Sequence, residues 1–160
     1  MVVPRIAAAA LLSLMVGGPA HAASTVKVDL WDRGGMMDMS GRMQWGMGMH
    51  GNMKMAMMGI TADKSVVPAG KVSFEVTNTS KDLVHEMLVG PVDNAEVALP
   101  FIANENRVDE DAYKDLGEVS ELDPGKSGEL TLDLKPGMYV LFCNVPGHFM
   151  AGMWTTIEVR

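Results

Sequence analysis

The feature that most constrains this chain is its punctuation. From Gly59 onward, short alternating runs are cut repeatedly by proline, glycine and polar clusters. Over residues 71–78, Val72, Phe74 and Val76 alternate with Ser73, Glu75 and Thr77, the two-residue period of a half-buried strand. Strand-like runs recur at residues 83–89, 117–122, 128–134, 138–144 and 153–159, and residues 26–31 supply one more alternating run upstream. Asp123-Pro124-Gly125 and Lys135-Pro136-Gly137 are turn sequences between them, because proline presets φ and glycine accepts positive φ. So many short strands predict an all-β sandwich or barrel and not a parallel α/β sheet. One stretch departs from the rhythm. Between Asn104 and Leu116, Val108, Ala112 and Leu116 recur at helical spacing among acidic residues, which predicts a short helix or flap over 104–116, packed on the sandwich.

The first residues read as a targeting segment. Met1 to Arg5 are a short basic start, Ile6 to Val16 an apolar run, and Pro19-Ala20-His21-Ala22 a small-residue close, the layout of a secretory signal. The run is too short for a membrane span, which needs about 20 apolar residues. Cleavage is expected after Ala22, placing the mature chain in the periplasm. Without Arg5, 12 basic residues stand against 20 acidic ones. That balance repels nucleic acid and offers no polybasic patch to anionic lipid. Residues 23–58 divide into an N-terminal strand and a methionine- and glycine-rich tract, and residues 59–160 form the β-rich domain. The chain is expected to act as a monomer.

An exported protein usually pairs its cysteines, yet this chain has one, Cys143. It opens a short loop in which His148 and Met153 follow at C-x4-H-x4-M spacing. The loop lies between two predicted strands and brings thiol, imidazole and thioether toward one point. With a second imidazole these are the donors of a blue-copper site: thiolate gives charge to Cu(II), imidazole suits both oxidation states, and thioether favours Cu(I). After signal cleavage the histidines are His50, His85 and His148. His50 sits in the glycine-methionine tract, whereas His85 lies on a predicted strand. Alone, Cys143 also reads as a buried apolar side chain and His85 as a hydrogen-bonded structural histidine. Coupled together, they read as ligands. A structural zinc site wants four cysteine or histidine ligands, a dinuclear copper centre two cysteines, and a cysteine protease a matched base and oxyanion hole. Nothing in the chain points to an enzyme.

Val67-Pro68-Ala69-Gly70, the following Val72 to Asn78, and His85-Glu86 resemble the cupredoxin pattern around its first histidine ligand. Gly137 to Cys143, Pro146-Gly147-His148 and Gly152-Met153 resemble the pattern around the other three. The resemblance spans about residues 60–160 and implies a Greek-key β-sandwich carrying one type 1 copper. His85 and His148 would bind through nitrogen, Cys143 through thiolate, and Met153 as a long axial ligand. Plastocyanin-like spacing favours Met153 over Met150. Met150 and Phe149 are expected to form apolar surface around His148, where a redox partner would dock. Glu86 departs from the asparagine common in azurin- and plastocyanin-like carriers, so the surroundings of the site differ.

From Met36 to Met58 there are ten methionines in 23 residues, with His50 among them. Soft, uncharged thioethers bind Cu(I) and hold Cu(II) poorly. With the sandwich, this tract is similar to that of small periplasmic copper-tolerance cupredoxins. The resemblance implies copper handling, with an additional Cu(I) site in the tract. The other role left open is a dedicated one-electron carrier between respiratory or oxidase partners, for which the tract is only a flexible linker.

Overall fold

In a computed structural model, which describes residues 23–34, 57–94 and 98–160, the alternating runs pair into two facing sheets. The first joins β1 (Ser24–Asp32), β2 (Met58–Ala62), β4 (Gly70–Asn78) and β9 (Ser127–Leu134) in the order β2-β1-β4-β9. β1 runs parallel to β4, with Val26 opposite Phe74, and antiparallel to β2, with Leu30 opposite Ile60. The second joins β3 (Val66–Val67), β5 (His85–Val92), β8 (Gly117–Leu122), β10 (Gly137–Phe142) and β11 (Trp154–Val159) in the order β3-β11-β10-β5-β8. The all-β sandwich expected from the strand rhythm is the fold observed.

The alternation explains which faces meet. Val26, Val28 and Leu30 of β1, with Val72, Phe74 and Val76 of β4, are buried against Met87, Val89, Tyr139, Leu141 and Ile157 of the opposite sheet. Each such side chain contributes about 1.5–3 kcal/mol by leaving water. Met58 belongs to this core and is fully buried. It is therefore a packing residue of β2 and not a donor of the methionine tract.

The outer face of the second sheet is covered as well. Leu88, Val140 and Phe142 point away from the sandwich core into a smaller cluster with Leu99, Val108 and Phe149. The covering segment is a hairpin of β6 (Phe101–Ile102) and β7 (Arg107–Val108), followed by the one-turn helix α1 (Glu110–Tyr113). Asp109 caps that turn by accepting a hydrogen bond from Ala112 N–H. The expected helical stripe does not form. Val108 is a buried strand residue, whereas Ala112 and Leu116 are exposed, so the segment is a flap with a single helical turn. Among the described residues no helix is long and apolar enough to cross a membrane.

Candidate metal centre

Two hydrogen-bonded strands set the site. β5 begins at His85, and its neighbour β10 ends one residue before Cys143, with Phe142 opposite Leu88. The turn leading to His85 is held by buried Asn78, whose Nδ2 donates to Leu83 O at 2.8 Å and Leu122 O at 2.7 Å. From Cys143 the chain runs through a loop back to β11. Cys143 N–H donates to Met153 O, and Met153 N–H to His148 O, each at 3.0 Å. Gly147 and Gly152, just before His148 and Met153, have φ of 89° and 94°, a left-handed backbone that a side chain at either position would strain. This folding closes the loop over one point.

At that point three donors converge. The Nδ1 atoms of His85 and His148 lie 3.2 Å apart, and Cys143 Sγ lies 3.4 Å from His148 Nδ1. All three donor atoms fall within 4.8 Å of one another. His85 and Cys143 are fully buried, and His148 is half-buried. Met153 is fully buried in the same core cluster as Cys143 and Met87, whereas Met150 packs in the outer cluster with Phe149 and Trp154.

Charge explains why such a cluster suits a cation. Burial pushes the Cys143 thiol up to about 12, against the pull of N–H groups from Glu86 and Val145. Burial also lowers His148 to about 4, with His85 adding to the shift, and lowers His85 despite the opposing carboxylate of Asp32. Without an ion, all three donors are therefore neutral near pH 7. A thiolate here needs a positive charge beside it, and the imidazole lone pairs are free to supply the remaining bonds. Thiolate, two imidazoles and a nearby thioether are donors that fit copper.

Residues 48–160, more than half of the chain, match the family model of copper binding proteins, plastocyanin/azurin family. The chain belongs to this cupredoxin family. It is a copper-binding protein. Among solved structures it is similar to rusticyanin from Thiobacillus ferrooxidans, with 17% identity, a TM-score of 0.54, and 87% of this chain covering 79% of that one. A dithionite-reduced auracyanin from Roseiflexus castenholzii matches at 19% identity and a TM-score of 0.49, over 87% of this chain and 98% of that one. At 17% identity the rusticyanin match speaks for the fold alone. No curated protein matches the chain.

The surroundings of this cupredoxin's site hold Asn144 and Asp32, which the sequence alone did not single out, beside Glu86, which it did. Asn144, adjacent to Cys143, exchanges hydrogen bonds with both backbone groups of Val108, tying the loop to the flap. Glu86 is buried and accepts from Asn144 N–H. Burial, then Glu121, Glu118 and Glu110, push it up to about 7. Asp32, at the end of β1, places Oδ2 at 3.6 Å from His85 Nε2. No local motif reveals that contact, because it arises only when β1 joins β4 in the parallel register Leu30–Asn78. His50 and most of the methionine tract lie outside the described residues, as does the expected signal segment 1–22.

Proposed function

We propose that this cupredoxin holds one redox-active type 1 copper through His85, Cys143, His148 and Met153. We further propose that it acts outside the cytoplasm in copper handling and tolerance. The observation that carries the ligand assignment is the convergence of three donor atoms within 4.8 Å. Met153 is supported as the axial donor because it is buried beside Cys143, whereas Met150 packs on the outer face. The bound metal would supply one-electron exchange between Cu(II) and Cu(I). The protein's part is to hold both imidazoles and the thiolate in place through either state, so that little must move.

Copper handling, with a second Cu(I) site, is supported by the tract's composition and by where its flanks sit. Asp32 pairs with Met58, and Arg33 N–H donates to Met57 O at 2.8 Å, so the tract leaves and re-enters the fold beside His85. Soft thioether donors tethered between those flanks would favour Cu(I). The second reading, a dedicated carrier between respiratory or oxidase partners, is supported by His148 and Met150, both half-buried; Phe149, expected on the same surface, is instead buried in the outer cluster.

Adding Cu(II) to the purified mature chain tests the assignment. An intense visible band from thiolate-to-copper charge transfer is expected, and its absence in Cys143→Ser. A colourless complex in the unsubstituted protein contradicts a type 1 site.

A further inference from the structure

We infer that Asp32 is a positioning residue for the metal centre: its carboxylate fixes the proton of His85 on Nε2, keeps Nδ1 free for the ion, and biases the site toward Cu(II). This rests on the copper reading of the site.

The geometry is specific. Oδ1 of Asp32 accepts a hydrogen bond from Gly34 N–H at 2.7 Å, which orients the carboxylate within its own turn. The other oxygen, Oδ2, is then aimed at His85 Nε2, 3.6 Å away. Both atoms are buried, and among the described residues neither has a hydrogen-bond partner; they face each other at slightly more than hydrogen-bond distance. A buried carboxylate oxygen and a buried ring nitrogen without partners are costly unless they serve each other. A neutral imidazole carries one proton, and which nitrogen bears it follows from the partners each nitrogen meets. Nε2 faces only an acceptor. Nδ1 faces Cys143 and His148, at the point where three donors converge. The assignment is therefore Nε2–H toward Asp32 and a lone pair on Nδ1 toward the ion.

Asp32 does not itself ligate. It meets the far side of the His85 ring and is not among the three side chains whose donor atoms come together. Its influence passes through the ring. A carboxylate accepting the outer proton of a metal-bound histidine fixes the ring orientation and raises its basicity. The added negative charge stabilises Cu(II) more than Cu(I). Asp32 also comes from the four-stranded sheet, whereas His85 starts a strand of the other sheet. The contact therefore spans the two sheets at the copper end.

Two variants of the full mature chain test this. Asp32→Asn removes the charge and leaves one acceptor oxygen for both Gly34 N–H and His85 Nε2, whereas Asp32→Ala removes the charge and both acceptors. In the copper-free protein, nitrogen NMR of the His85 ring is expected to show Nε2–H in the unsubstituted chain and loss of that single tautomer in both Asp32→Asn and Asp32→Ala. In the copper-loaded protein, the preference for Cu(II) over Cu(I) is expected to fall about tenfold in Asp32→Asn. For a one-electron couple that is a rise of about 59 mV in potential. A change in stability alone, with the potential unmoved in both variants, overturns the inference. So does an unsubstituted protein whose His85 proton sits on Nδ1. Because Asp32→Asn is isosteric, loss of folding in Asp32→Ala leaves the test standing. If the unsubstituted chain gives no charge-transfer band, the copper reading fails, and the tautomer measurement alone decides the role of Asp32.

Discussion

At the scale of single residues, Glu86 is the clearest conflict in the fold. It follows His85 on β5 and is buried beside Cys143 among three other carboxylates, which holds it at about 7 where an ordinary glutamate sits at 4.5. The folded chain therefore keeps a proton that the unfolded chain has already released. That contribution to stability is complete below pH 4.5 and is lost as pH rises through about 7. His148 slopes the other way. Held near 4 against an ordinary 6.5, it makes the copper-free fold gain stability as pH rises across that window. Glu86→Gln removes the first effect and leaves the second. In urea titrations of copper-free protein from pH 5 to 8, the unsubstituted chain is expected to lose about 2 kcal/mol relative to the variant, after discounting for solvent screening. Parallel profiles would contradict this account. Glu86 was visible in the sequence as a departure from the family pattern, but its three acidic neighbours were not. Glu110 comes from the flap, and Glu118 and Glu121 from β8. Likewise His85, Cys143 and His148 could be read from loop spacing and the scarcity of histidine, whereas Asp32 lies 53 positions before His85 and meets it only through strand order.

At the scale of elements, the flap is what distinguishes this sandwich, and one side chain ties it to the ligand loop. Asn144 Oδ1 accepts from Val108 N–H at 2.7 Å, and its Nδ2 donates to Val108 O at 3.0 Å and Glu110 Oε1 at 2.6 Å. Gly147 N–H adds a bond to Asn106 O at 2.7 Å. Asn144→Ala leaves buried backbone groups of Val108 without their side-chain partner, at a cost of about 1–3 kcal/mol. Faster hydrogen exchange is expected across residues 101–113, with β10 and β11 little changed. Unaltered exchange in the flap would show that its apolar contacts alone hold it down. Of the seven longer strands, β1, β4 and β9 were legible by alternation, whereas β5 and β10 read as short, continuously buried runs bounded by turn signals. β2 was not: Met58-Gly59-Ile60 continues the composition of the methionine tract, and its strand character comes from pairing with β1. β6 and β7 have two residues each, too few to carry a period. The apparent helical stripe through Val108, Ala112 and Leu116 joined residues that a turn places on different surfaces.

At the scale of the whole molecule, the two sheets divide the labour. His85, Cys143 and His148 lie on or between strands of the five-stranded sheet, so their spacing is set by hydrogen-bonded neighbours before any metal arrives. The four-stranded sheet brings the flanks of the methionine tract to the same end, closed by Arg33 N–H on Met57 O. A segment whose ends are already joined by strand pairing can be shortened without disturbing the fold. Loop-closure entropy changes by only about 0.6 kcal/mol for each doubling of length. Replacing residues 35–56 with a short glycine-serine linker, while keeping Met57 and the core residue Met58, should leave the melting temperature unchanged or slightly higher. The charge-transfer band at Cys143 should persist. The two functional readings then part. If the tract handles copper, Cu(I) competition titrations should show fewer ions bound per chain, and cells carrying the shortened protein should lose copper tolerance. If the protein is only an electron carrier, both stay as they were while electron-exchange rates are preserved. Unchanged Cu(I) capacity and tolerance would assign the eight methionines of residues 35–56 no part in copper handling and leave the β-sandwich site to account for the whole activity.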